Sequence, residues 1–159
     1  MTTREVRTSV IVDATRQEIW ELLTTPTGLT SCVAPGAQVH AVEGGQWRLA
    51  FDAAGKRPFD GGTILKFARD QELVIGFEAP EALTSLGRAP TRLIWAIEPL
   101  ASALQRLVLI HTDIGNGGEW DRLFDHLQSA WPTVLERIRR RTVLYAPTIS
   151  TYEPFWAGL

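Results

Sequence analysis

The hydrophobic period changes once along this chain, and that change limits the folds open to it. Between Val39 and Thr112 apolar side chains recur every second residue; from about residue 118 they recur every third or fourth. A period of two puts alternate side chains on opposite faces of a strand, and a period near 3.6 puts them on one stripe of a helix. The chain therefore reads as a meander of antiparallel strands, joined by short spacers, followed by one long helix.

Parity assigns the strand faces. In residues 5–13, Val6, Thr8, Val10 and Val12 share one face, and Arg7, Ser9 and Ile11 the other. Trp47, Leu49 and Phe51 oppose Gln46, Arg48, Ala50 and Asp52, and residues 55–62 carry turn residues and a proline. Thr63, Leu65 and Phe67 oppose Ile64, Lys66 and Ala68. Leu73, Ile75 and Phe77 form a further set, as do Leu93, Trp95 and Ile97. Gln105, Leu107, Leu109 and His111 oppose Leu104, Val108, Ile110 and Thr112. Parity does not say which face is concave.

Two helical signals flank the strands. Asp13-Ala14-Thr15 offers N-cap chemistry, and Glu18 stands at the capping-box distance from Thr15. A short helix there buries Ile19, Trp20, Leu22 and Leu23, ends at Pro26 and Gly28, and precedes a second short turn from Leu29 to Val33. Near the other end, Trp120, Leu123, Phe124, Leu127, Trp131, Val134, Leu135 and Ile138 fall within about 60° of one line at helical spacing. That predicts a helix over residues 118–142, with acids in its first turn, arginines in its last, and a kink at Pro132. The expected fold is α+β. A twisted sheet curls around the long helix, and the part of the concave face that the helix leaves uncovered becomes a cavity.

Composition narrows the function. A chain of 159 residues forms one domain without a metal or disulfide staple. A hydrophobic fraction of 45% excludes a disordered chain. A net charge of −2 supplies no positive field for nucleic acid or an anionic membrane. One cysteine excludes an internal disulfide and a cysteine-based zinc site. The polar stretch from Met1 to Thr8 lacks a signal-peptide core and no apolar run suggests a membrane span, so a cytoplasmic location is expected. The domain is expected over residues 1–141. Residues 142–159, with one charged side chain after Arg141 and with Tyr152, Phe155 and Trp156 among its aromatics, read as a tail packed on the domain or on a partner subunit.

Several segments together resemble a known group. They are Ala14-Thr15-Arg16-Gln17-Glu18-Ile19-Trp20, Gly61-Gly62-Thr63-Ile64-Leu65 and Glu72-Leu73-Val74-Ile75-Gly76-Phe77, then Thr91-Arg92-Leu93-Ile94-Trp95 with Glu98-Pro99-Leu100. His111-Thr112, Glu119-Trp120-Asp121 and Ser129-Ala130-Trp131 follow. In this order the chain resembles the helix-grip (START-like, SRPBCC) superfamily, and within it the homologues of the C-terminal domain of the activator of heat-shock protein 90 ATPase. The resemblance implies a cavity for hydrophobic small molecules, and in some relatives the cyclisation or dehydration of polyketides. Ser31-Cys32-Val33-Ala34-Pro35 stands where relatives commonly place a tryptophan, and the aromatic tail has no clear counterpart. The extra N-terminal domain of the eukaryotic co-chaperone is not expected here, so a chaperone role is not carried over.

The candidate ligand-cavity residues are Trp95, His111, Trp120, Phe124 and Trp131, with Trp47 a similar candidate. The unperturbed pKa of an imidazole such as His111 suits proton transfer or ligand recognition, but a lone imidazole at a strand end also serves to bond backbone. The aromatics line a pocket or form ordinary core; an apolar stripe allows both. Arg48, Asp52, Glu98 and Asp113 are polar partners in a cavity or the wet face of strands. His40, His126 and Cys32 lack metal-ligand spacing, Gly115-Asn116-Gly117-Gly118 lacks the lysine of a phosphate loop, and arginines 137–141 read as a solvated helix end. The leading expectation is a binder of an aromatic or lipid-like molecule, without cofactor or metal. One alternative is a cyclase- or dehydratase-like enzyme with His111 as proton carrier beside Glu98 or Asp113. Another is a chaperone-linked or self-associating module acting through the tail. Apolar residues on both faces of strands, as in Leu93, Ile94, Trp95 and Ile97, favour a homodimer.

Overall fold

The computed structural model describes residues 2–51, 60–142 and 154–159. The order is β1 (Arg4–Val12), α1 (Arg16–Thr24), α2 (Pro26–Cys32), β2 (Gly36–Val39), β3 (Gln46–Ala50), β4 (Asp60–Ala68) and β5 (Glu72–Glu78). A single 3-10 turn (Thr84–Leu86), β6 (Pro90–Ala101), β7 (Leu104–Ile114) and α3 (Glu119–Thr142) complete it. The described strands form one antiparallel sheet in the order β1-β7-β6-β5-β4-β3-β2. The first strand thus lies beside the last, and α1 and α2 carry the chain from that edge to the opposite one. The curved sheet wraps α3, which packs on β1 and β7 and reaches α2.

Local chemistry explains the short helices. The Thr15 hydroxyl accepts from the Glu18 N–H at 3.1 Å, and the Glu18 carboxylate accepts from the Thr15 N–H at 3.2 Å, a complete capping box. Pro26 starts α2 as well as ending α1: its missing N–H costs nothing in a first turn. Gly28 lies so close to the Leu22 backbone that a side chain there would overlap it.

The inner face of the sheet follows the sequence parity, with one exception. Trp47, Leu49, Leu73, Ile75, Phe77, Leu93, Trp95, Leu107 and Leu109 are all buried on it. From α3 it meets Leu123, Leu127, Trp131, Val134, Leu135 and Ile138. Fully burying a tryptophan contributes roughly 4–6 kcal/mol before ordering entropy is subtracted. Trp47, Trp95 and Trp131, each fully buried, therefore anchor the grip. The exception is β4, where the register with β5 slips between Ile64 and Lys66. A bulge adds one residue and reverses parity beyond it. Ile64 is buried, Leu65 faces solvent, and Phe67 packs on the core, so the strict alternation expected from residues 63–68 fails.

A further difference concerns the start of β4. Gly61 and Gly62, expected in a turn, lie inside β4. A Cβ on Gly62 would overlap the Gly76 carbonyl oxygen, and one on Gly61 the Trp47 carbonyl oxygen, so both glycines permit close strand approach. The long helix continues through the exposed Pro132 to Thr142.

Candidate functional site

His111 is fully enclosed between sheet and helix, and both ring nitrogens are engaged. The Trp131 indole N–H donates to His111 Nδ1 at 3.0 Å. Nδ1 is therefore the acceptor, and the proton resides on Nε2. Nε2–H meets Thr91 Oγ1 at 2.6 Å, and the Thr91 hydroxyl donates to the Phe77 carbonyl, also at 2.6 Å. The chain of bonds runs from α3 through β7 and β6 to β5, with every donor matched to an acceptor. Burial removes the water that would solvate an imidazolium and lowers the pKa to about 3. The ring is thus a neutral tie between helix and sheet. The acids expected beside it lie elsewhere: Glu98 is exposed and paired with Arg106 at 3.5 Å, and Asp113 is exposed beside Arg92. The fold does not assemble a proton carrier and an acid at this position.

Around that tie lies a connected set of aromatic rings. Trp131 contacts Phe77 and Trp95 edge-on, at 6.0 and 5.9 Å between ring centres, and Trp95 continues to Trp47 at 6.3 Å. The Trp47 indole N–H donates to the Leu23 carbonyl at 2.8 Å, tying β3 to α1. The Trp95 indole N–H is different. It is buried and has no hydrogen-bond acceptor among the described residues.

The remaining candidates separate. Trp120 and Phe124 sit at the edge of the core, half-buried. Gly115 allows the Trp120 ring to lie against the backbone, and the Arg4 guanidinium stands 4.4 Å over the Phe124 ring. Nearby, the Glu119 carboxylate accepts from the Ser85 N–H at 2.8 Å and from its hydroxyl, which holds the carboxyl below its usual range. Of the polar candidates on β3, Arg48 pairs with Glu78 at 3.1 Å, and that hydrogen bond is the main reason the Glu78 carboxyl titrates low. Asp52 lies outside the described residues. His40 is exposed. Cys32 is buried, and desolvation pushes its thiol up to about 11. Arg137, from the basic cluster, donates to the Cys32 and Val33 carbonyls at 3.2 and 3.1 Å, neutralising the negative end of α2.

Sequence reasoning missed the seat of the C-terminal segment. Residues 154–159 lie against α3 and the end of β3. Phe155 is only 6% exposed; its ring stacks on Phe51 at 4.1 Å and tilts against Trp131 at 4.8 Å. His126 hydrogen-bonds the Phe155 carbonyl and stacks on Trp156 at 5.6 Å. Beside this contact lies a groove of about 190 Å³, lined by His126, Ala130, Thr133, Arg137, Phe155 and Ala157. The aromatic composition of the tail was the available signal, but composition does not give an address. Tyr152 lies outside the described residues.

A curved antiparallel sheet closed around one long C-terminal helix, with two short helices after the first strand, defines the helix-grip (SRPBCC) class. The family model for Activator of Hsp90 ATPase homolog 1-like proteins matches residues 13–142, and the chain belongs to that family. No curated protein matches it in sequence. Among solved structures it is similar to protein MLL2253 from Mesorhizobium loti, with 13% identity, a TM-score of 0.71, and coverage of 87% of this chain and 96% of that one. It is similar to the Aha1 dimer from Colwellia psychrerythraea, with 14% identity, a TM-score of 0.71, and coverage of 89% and 97%. DynU16, a putative protein in the dynemicin biosynthetic locus, shares 17% identity and a TM-score of 0.67, with coverage of 91% of this chain and 49% of that one. At these identities the likeness is one of fold.

Proposed function

We propose that this protein binds a planar hydrophobic small molecule carrying one acceptor oxygen, between the sheet and α3. The observation that carries the reading is the Trp95 indole N–H, a buried donor without an acceptor in the middle of an aromatic interior. An unmatched buried donor costs about 1–3 kcal/mol, which an acceptor on a bound molecule would recover. The surrounding rings supply the apolar, stacking walls that such a molecule needs. Family and fold support a ligand-binding domain of this kind. Binding, not chemistry, suits the site, because His111 is neutral, enclosed and fully bonded.

The test compares 2-acetylnaphthalene with its hydrocarbon counterpart 2-ethylnaphthalene, followed by tryptophan fluorescence and thermal shift. The ketone binds about fivefold tighter to the wild type if the N–H gains its acceptor. Trp95→Phe keeps an aromatic ring but removes the donor, and should erase the difference. Absence of binding by either compound would overturn the reading.

The self-association expected from the sequence is also proposed here, on the outer face of the sheet. Val74, Ile94 and Ile110 stand in one cross-strand row there, and Ile11 and Leu65 on the same face are exposed. A second copy of the chain covering this row is consistent with the similar Aha1 structure being a dimer.

A further inference from the structure

We infer that Phe155 is an internal occupant of an aromatic slot made by Phe51 and Trp131, and that planar aromatic ligands bind there by displacing it. This rests on the ligand-binding reading above and gives that site a location and a competitor. Three observations converge. The family match ends at residue 142, so Phe155 comes from a segment outside the matched domain. Its ring nevertheless sits inside the grip: it is buried, face-stacked on Phe51 with 19° between the planes, and packed on Trp131. Trp131 in turn touches Trp95, so the ring that walls the slot also packs on the indole that lacks an acceptor.

The slot has the shape of a ligand site and the tail has the manner of a ligand. Phe51 offers a flat face, and Trp131 closes the side at 6.5 Å between ring centres. A phenyl ring fills that space now; a naphthalene-sized ring requires it to leave. Among the described residues, side-chain hydrogen bonding to residues 154–159 consists of the His126 contact to the Phe155 carbonyl. Otherwise, among the described residues, the segment is held by apolar packing of Phe155, Trp156 and Leu159. A described contact made of apolar packing and one side-chain hydrogen bond is released more readily than a strand of the sheet, and a stacking ligand replaces the ring contacts it gives up. Ligand affinity is then reduced by the fraction of time the slot is closed.

The experiment uses the full-length chain, with 2-acetylnaphthalene as the probe. Phe155→Ala vacates the slot; Phe155→Leu keeps an apolar filler but loses the stack, and guards against a poorly folded alanine variant. Both should bind the probe at least tenfold tighter than the wild type. In the wild type, saturating probe should speed trimming of the C-terminus by carboxypeptidase, followed by mass, because the displaced segment becomes accessible. Equal affinity for all three proteins with unchanged trimming would overturn the inference while leaving the ligand-binding reading intact. No binding by any of them would overturn the reading itself.

Discussion

The neutral, enclosed state of His111 makes stability depend on pH in a calculable way. In the folded chain the imidazole titrates near 3, because burial disfavours the cation; unfolded, it returns to its ordinary value of 6.5. Above 6.5 the ring is neutral in both states and the full stability is present. As the pH falls from 6.5 toward 3 the unfolded chain takes up a proton that the folded chain refuses, so stability is lost across that window. Between about pH 7.5 and about pH 5 the loss from this residue alone is roughly 2 kcal/mol. In urea that is a shift of about 1 M in the unfolding midpoint, given typical slopes for chains of this size. His111→Gln retains an acceptor for Trp131 and a donor for Thr91 but has no proton to gain. It should be less stable than the wild type at about pH 7.5, by about 1–3 kcal/mol, through imperfect filling and bonding. It should also lose roughly 2 kcal/mol less on acidification. Urea unfolding followed by tryptophan fluorescence at both pH values gives the comparison, and His40 and His126 are common to both proteins. If the two lose the same stability on acidification, His111 is not held neutral and the bonding pattern assigned to it is wrong.

Three other outcomes are expected. Gly62→Ala drives a methyl group into the Gly76 carbonyl oxygen and should cost about 3 kcal/mol, read as a lowered thermal midpoint. A near-neutral effect would mean that β4 and β5 do not approach as described. Thr15→Ala removes one half of the capping box and should cost about 1 kcal/mol, visible in urea denaturation. If the chain self-associates through the outer face, Leu65→Lys should lower the mass seen by light scattering while leaving the thermal midpoint nearly unchanged; an unaltered mass would rule that face out.

Much of this architecture was legible because its causes are local. The capping box needs only Thr15 and Glu18, and a stripe of apolar residues at helical spacing needs only the helix itself; the structure places that helix at Glu119–Thr142. The alternation of Trp47 with Leu49, and of Leu93 with Trp95, needs only the pleat. The short edge strand β2 was nearly invisible, because four residues hold too few alternations to read. The bulge at Leu65 was invisible because inserting one residue leaves the composition of a strand unchanged while reversing its faces.

The sequence by itself determined which side chains share a face and where the period turns from strand to helix, since both depend on residues a few positions apart. The tertiary structure decided which of those faces is concave. It gave His111 its partners, Thr91 and Trp131, each 20 residues away on a different element, and so turned a candidate proton carrier into a neutral tie. It also brought Phe155 onto Phe51, more than a hundred residues earlier in the chain. Contacts of that separation depend on how the sheet curls around the helix, and periodicity along the chain carries no record of them.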